Sequence, residues 1–551
     1  MTHPPRSLPA LVLLLELALG SSLAVAGAAA TEPPAAVTEF VRAVPVTAAE
    51  PVATGLRGID TPALAAHLHF LASPALAGRG LDTPSLEVAA EYLAAQLRIA
   101  GVAPFGSGSG PAAYFQELPL RRIAPPTGEL TVEHAAGESG RGRSYRSGVD
   151  LLLSGAPVGA LRGPVVDAGW GVREPQLGRD DWRGLDVRGR LVLVRAGAPG
   201  GPEWRTDELV GRWDATDEDD RDDAKLAIAR ELGAAALLVV EKDDFAARLA
   251  RGELAEEESF APFAADDEDD GPPRIRVSSA VARALLGEPS GGEAVLPRGP
   301  LPGVAVELRV EAVERTALAR NVLGILPGSD PARRDEAVVL GAHYDHLGTR
   351  DGRVHPGADD NASGVAALLE IARAFAAAPR SPRRTLVFAF WTGEEEGHLG
   401  SRFYLRSPRW PLAQTAAYLN LDMIGHPWRR EEIAELLADR EVPDATTFLG
   451  SFEPADFVEL GLPAERPELD AALRAGGAAT GLTLHFDRTD GKHGGSDYRG
   501  FARRGVPFIR FFGNFFPGYH EPGDTADALA PEQVRRVARL AFATAWELAD
   551  R

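Results

Sequence analysis

The sequence predicts an α/β protein with a mostly parallel central sheet, helices on both faces and an inserted, smaller mixed α/β domain. Three patterns carry that reading. Beyond Val313, strongly apolar runs such as 337–341 and 385–391 alternate with amphipathic helical stretches such as 365–377, which is how strand and helix units of a parallel sheet read. From about 132 to 310, short apolar runs at 189–194 and 235–240 enclose one helical stretch at 224–232, the pattern of a separate mixed domain. Nearer the start, Leu64, Leu68 and Leu71, then Val88, Tyr92, Leu93 and Leu97, recur at three- and four-residue spacing. They predict two helices joined by a turn-rich stretch at 73–84.

Taken in chain order, residues 1–30 read as a secretory signal peptide. Arg6 precedes an apolar run at 8–19, and small residues follow as far as Ala30. Glu16 within that run argues against a membrane span. Residues 31–58 read as a Pro-rich linker, 59–130 as the N-terminal part of the main domain, 131–312 as the insertion and 313–551 as the rest of the main domain. The expected location is periplasmic or extracellular, with no stable membrane insertion once the signal is cleaved.

Composition removes several functions. The 551 residues carry 79 acidic and 58 basic side chains, a net charge of -21, which argues against a nucleic-acid partner. No cysteine is present, so disulfide scaffolds, thiolate zinc sites and cysteine nucleophiles are all excluded. Any metal must sit on His, Asp and Glu. Residues 201–270 alone hold 23 acidic against 8 basic side chains, mostly in the runs 214–223 and 266–270. Neither run has the glycine and glutamate spacing of a helix-loop-helix calcium site, so both read as solvated loops.

Chemistry is expected where strands end, because ligands of open α/β sheets bind beyond the carboxyl ends of the strands. The run 337–341 ends in Ala342-His343-Tyr344-Asp345-His346, the run 385–391 in Thr392-Gly393-Glu394-Glu395-Glu396, and the run 416–421 in Asp422. A fourth, 506–512, leads to a loop that reaches Tyr519-His520. The fifth element is Gly357-Ala358-Asp359-Asp360-Asn361-Ala362-Ser363-Gly364, just before a helical stretch. Asn361 or Ser363 could cap that helix, but capping needs one short polar residue and this loop supplies several between glycines. It reads as a metal-binding loop.

Together these elements bring two histidines and at least three carboxylates to one sheet edge, a donor set that suits zinc, with cobalt or manganese as substitutes. His343 and Asp345, two apart in an extended segment, point the same way, so His343 reads as a ligand and Asp345 as the carboxylate behind its imidazole. His346 and His398 read as structural or loop residues rather than ligands.

Six motifs in order, His343-Tyr344-Asp345-His346-Leu347-Gly348, the loop 357–364, Glu394-Glu395-Glu396-Gly397-His398-Leu399-Gly400-Ser401, Asn420-Leu421-Asp422-Met423-Ile424-Gly425, Gly495-Ser496-Asp497 and Tyr519-His520-Glu521-Pro522-Gly523-Asp524-Thr525, resemble those of the exported di-zinc aminopeptidases. These are the bacterial leucyl-aminopeptidase type, relatives of glutamate carboxypeptidase and glutaminyl cyclase. The resemblance covers 321–549 and extends to 59–120, and the insertion looks like the protease-associated domain that many members carry.

The resemblance implies the zinc aminopeptidase, phosphorylase/hydrolase-like fold and two co-catalytic Zn2+ ions. Asp360 would bridge them, His343 and Asp422 would complete one site, and Glu395 and His520 the other. Glu394 would be the general base and Glu396 unconstrained, although three consecutive glutamates could be slipped by one. Tyr519 is either an oxyanion donor or an aromatic packed under its loop. Some relatives carry a tyrosine three residues before the Ser-Asp pair, where this chain has His493. Ser496 and Asp497 would support the ligands. The implied substrates are peptides with a free N-terminus. A carboxypeptidase or glutaminyl cyclase of the same family is the alternative, and a non-catalytic receptor would be expected to lack ligands or base that are all present here.

Overall fold

The computed structural model describes residues 39–551 apart from 109, 135–141, 154–155, 215–221, 242–243, 252–253, 255–257, 264–271, 288–297, 441, 443 and 493–494. The expected signal peptide, the run 266–270, most of the run 214–223 and His493 lie outside the described residues.

The main sheet has eleven strands. In chain order they are β1 (Glu39–Arg42), β2 (Ala103–Pro104), β3 (Phe115–Ile123), β4 (Ser259–Pro262), β5 (Glu314–Leu326), β6 (Ala337–His343), β7 (Thr385–Trp391), β8 (Thr415–Leu421), β9 (Phe457–Leu462), β10 (Thr483–Arg488) and β11 (Phe508–Phe512). They lie side by side as β1-β10-β9-β11-β8-β6-β7-β5-β3-β4, with β2 beside β5. The centre, β7-β6-β8-β11, is parallel. The flanks are not: β9 runs antiparallel to β11, and β5, β3 and β4 are antiparallel in succession.

Every residue of β6 and β7 is buried, as expected of parallel strands covered on both faces. Alternate residues serve the two faces. Val338, Leu340, Phe388 and Phe390 join the helices Gly364–Ala376 and Pro531–Ala549 through Leu368, Phe375, Phe542 and Trp546. Val339, Val387, Ala389 and Trp391 meet Tyr404 and Phe501, which come from the helices Leu399–Arg406 and Tyr498–Arg503. Phe388 is fully buried at the centre of this arrangement. Phe388→Ala is expected to lower the unfolding free energy by about 3–5 kcal/mol, seen as a lower denaturation midpoint in urea with an unchanged slope.

Residues 39–58, expected as linker, are instead part of the fold. β1 pairs antiparallel with β10 at the sheet edge, and the helix Val52–Gly58 touches the main helices so closely that the ring of Phe542 fills the space where a Cβ on Gly55 would sit. A four-residue strand is too short to leave a periodic signal, and its pairing partner is more than 400 residues away.

The insertion has its own eight-stranded sheet. The strands Thr127–His134 and Gly299–Glu311 run antiparallel, with Gly128 opposite Val310, so the chain leaves and re-enters at one place. Gly159–Asp167, Leu191–Arg195, Ala236–Val240 and Arg274–Val277 form a parallel centre. One of the insertion's strands, β4, departs to pair with β3 of the main sheet. Among the described residues, no helix is long and apolar enough to cross a membrane.

Candidate metal centre

The parallel centre delivers its polar residues to one edge. β6 ends on His343, followed by Asp345 and His346; the loop after β7 carries Glu394 and Glu395; Asp422 follows β8; and β11 leads into the loop of His520. The loop between β6 and the helix Gly364–Ala376 supplies Asp360. His343, Asp345, His346, Asp360 and Asp422 are all buried.

Asp360 sits between the two histidines. Its Oδ1 lies 3.2 Å from His343 Nε2 and its Oδ2 3.2 Å from His520 Nε2. Each imidazole nitrogen meets one further carboxylate: His343 Nε2 is 3.3 Å from Asp422 Oδ1, and His520 Nε2 is 3.3 Å from Glu395 Oε2. The structure thus brings together His343, Asp360, Glu395, Asp422 and His520. Ligand atoms of His343, Asp360 and Glu395 all lie within 4.8 Å of one another.

The supporting contacts explain how this loop holds its shape. The Asn361 side chain accepts from the backbone N–H of Gly364 and Met423 and donates to the Leu421 carbonyl. Asp524 accepts from the N–H groups of Asp359 and Asp360. Asp359 itself turns away from the histidines to accept from Gly425 N–H at 2.7 Å, so the two acids of one dipeptide have separate tasks. Ser496 Oγ donates to Asp422 Oδ2 at 2.5 Å and accepts from Asn420, which tethers Asp422 to the Gly495-Ser496-Asp497 turn.

Asp345 lies behind His343, but at 3.8 Å from Nδ1 it is beyond hydrogen-bonding distance. It accepts instead from the backbone N–H groups of Glu394 and Glu395, and so holds the glutamate loop in place. Tyr519 stacks on His520 with ring centroids 3.8 Å apart.

Two residues touch the cluster in ways that spacing did not suggest. His346 Nδ1 lies 2.5 Å from Glu395 Oε1 and 3.7 Å from Asp360 Oδ2, so it steadies the carboxylate that faces His520. Arg79, wholly buried, donates to the carbonyls of Leu71, Tyr344, Pro356 and Gly357. It clamps the end of β6 to the start of the Asp360 loop and places a cation among carboxylates. Burial draws it down to about 10, against the pull of Asp345, Asp524, Asp360 and Glu395. The only signal for it in the sequence is an arginine set in the small-residue stretch Ala77-Gly78-Arg79-Gly80.

Charge crowding sets the proton inventory. Burial opposes a charged imidazole at His343, but Asp422, Glu394 and Asp360 outweigh it and hold that group well above its ordinary value. His520 is likewise pushed up to about 10 by Asp360 and Glu395, against burial. Burial and the charge of Asp360 oppose ionised Glu395, yet His346 and His520 draw it down to about 2. Glu394 is pushed well up by burial and by the charges of Glu395, Asp422 and Asp497.

Buried imidazoles and carboxylates without thiolates, gathered at the carboxyl ends of parallel strands, are donors of the kind zinc accepts, at the edge where such sheets bind ligands. Comparison with known proteins finds that residues 321–545 match the model of Peptidase family M28. A probable leucine aminopeptidase of Arthroderma benhamiae is 27% identical over 250 residues, 44% of this chain and 61% of that protein. A probable glutamate carboxypeptidase of Arabidopsis thaliana is 32% identical over 279 residues, 46% of this chain and 34% of that protein. The chain therefore spans about three-fifths or less of the curated relatives it matches. Among solved structures, an aminopeptidase from Aneurinibacillus sp. strain AM-1 superposes with a TM-score of 0.50 at 19% identity, covering 90% of this chain and 96% of that one; it shares the fold.

Proposed function

We propose that the chain is an exported, zinc-dependent aminopeptidase that holds two Zn2+ ions and removes the N-terminal residue of peptides. The observation that carries this is the division of Asp360, one oxygen to each histidine, with Asp422 and Glu395 as the second partner on either side. All donors are nitrogen or oxygen of the kinds zinc accepts. His343, Asp422 and Asp360 would hold one ion, and Asp360, Glu395 and His520 the other. The apolar run at 8–19 behind Arg6 supports export.

Bound zinc supplies Lewis acidity, which lowers the pKa of water and polarises a carbonyl. Glu394 takes the proton of the attacking water and hands it to the leaving amine; burial among carboxylates raises its pKa and suits it to both steps. Asp345 fixes the backbone that presents Glu394 and Glu395. Tyr519, whose phenol stays protonated because burial and the charges of Asp360 and Glu395 push it up, donates to the developing oxyanion.

The test compares release of the N-terminal amino acid from a short peptide with a free or an acetylated N-terminus, with zinc and after chelation. Chelator-sensitive release from the free peptide alone is expected. A folded, zinc-loaded sample that releases nothing would sink this reading and put a carboxypeptidase or glutaminyl cyclase ahead of it.

Metal binding should also report the proton inventory. His343 and His520 must give up protons before they can ligate, and His520 is held up to about 10. Apparent zinc affinity is therefore expected to rise between about pH 6.5 and 10, roughly tenfold per pH unit for each proton released. In the metal-free protein the sign is opposite. The contacts of His520 stabilise the fold fully below about pH 6.5 and are lost as pH rises through about 10. Calorimetry in buffers of different ionisation enthalpy counts the protons, and an affinity independent of pH would contradict the assignment of these histidines.

A further inference from the structure

The side chain of Glu394 has one close neighbour that none of the roles above uses. His398 is 8% exposed, and its Nε2 lies 3.2 Å from Glu394 Oε1. The backbone brings the two residues together. His398 adopts the left-handed conformation, with φ +60°, at the start of the helix Leu399–Arg406. The N–H groups of Gly397 and His398 both return to the Glu394 carbonyl, at 2.9 and 2.8 Å, and Leu399 N–H to Gly393. The loop therefore closes on itself and lays the imidazole back over the carboxylate.

Burial and the guanidinium groups of Arg499 and Arg402, against a backbone hydrogen bond with Gly495, hold the His398 imidazole well below its ordinary value, which favours a neutral ring beside Glu394. A glutamate carboxylate hangs on three rotatable bonds, and a base that can swing loses much of its advantage; a misplacement of about 1 Å can cost about 100-fold in rate. A donor on one oxygen restricts that motion and leaves the other oxygen for the proton in flight.

We infer that His398 is a positioning residue for Glu394: its Nε2–H holds Oε1, and Oε2 is the oxygen that receives the proton of the attacking water. The inference rests on Glu394 being the base of the proposed aminopeptidase. A purely structural His398 would instead serve only to fill the loop.

Two substitutions separate these. The amide nitrogen of His398→Gln reaches about as far as Nε2, whereas that of His398→Asn reaches only to the position of Nδ1. Asparagine is also well tolerated at positive φ, so the shorter variant is not expected to misfold. His398→Asn should lower kcat by about 10- to 100-fold with KM, zinc content and melting temperature unchanged, and His398→Gln should return kcat to within about threefold of the wild type. Wild-type kcat in the asparagine variant overturns the inference, as does a loss of kcat that tracks a fall in zinc content or melting temperature. If the wild type, folded and zinc-loaded, releases no amino acid, the aminopeptidase reading falls and this inference with it.

Discussion

Glu394→Gln is expected to lower kcat for N-terminal release by about 100- to 10,000-fold, the range that positioned proton transfer contributes, while zinc content stays at the wild-type level. Glutamine keeps the shape of the side chain and can still accept from His398, so the change removes little but basicity. Glu395→Gln, one residue on, should behave differently, because Glu395 faces His520 and His346; metal is lost along with activity. Steady-state kinetics together with metal analysis of the two variants distinguishes the roles. If Glu394→Gln keeps full activity while Glu395→Gln loses activity but keeps its zinc, the three consecutive glutamates have been assigned in the wrong register.

Asp360→Asn should weaken zinc binding on both sides of the cluster at once. The amide carries no charge, and one of the two oxygens that face His343 and His520 becomes a donor, so whichever way it turns one ion loses its ligand. Loss of a mere supporting partner of a ligand costs about 10- to 100-fold in affinity, and loss of the shared ligand should exceed that. Thermal stabilisation gives a readout independent of catalysis. Zinc at about 100 times its dissociation constant stabilises a protein by about 2.7 kcal/mol, so the wild type should melt markedly higher with zinc than without, and Asp360→Asn should not. An undiminished zinc-dependent shift in the variant would rule out Asp360 as the shared ligand.

The parallel centre was legible because its strands are uninterrupted apolar runs that end abruptly in polar groups: β6 runs from Ala337 into His343, and β7 from Thr385 to Trp391 before the glutamates. Burial on both faces writes that pattern, and strand ends in such sheets face the ligand. The edges were not legible. β1 is four residues long, and β4 belongs by sequence to the insertion yet pairs with β3; both are placed by long-range pairing that local pattern does not encode.

The site divides in the same way. Residues at strand ends or in the glycine-flanked loop announced themselves. Arg79 did not, since its importance lies in four carbonyls contributed by three separate stretches of chain. Asp345 was expected to buttress His343 and is found holding the N–H groups of Glu394 and Glu395; two-residue spacing gives the direction of a side chain but not which of two nearby donors takes it. His346 and His398, read as structural or loop residues, lie against Glu395 and Glu394.

The departure of β4 from the insertion bears on any attempt to trim this protein to a minimal catalytic unit. The insertion begins and ends on paired neighbours, with Thr127 opposite Glu311, so a short turn could rejoin the chain after excision. Yet β3 is a nine-residue strand, and β4 pairs with its residues Leu120–Ile123, reinforced by Arg122 bound bidentately to Glu258. Excision would leave that rim of N–H and C=O groups open to a second molecule. The shortened protein would be expected to self-associate through β3 unless a lysine or proline were placed there as a guard.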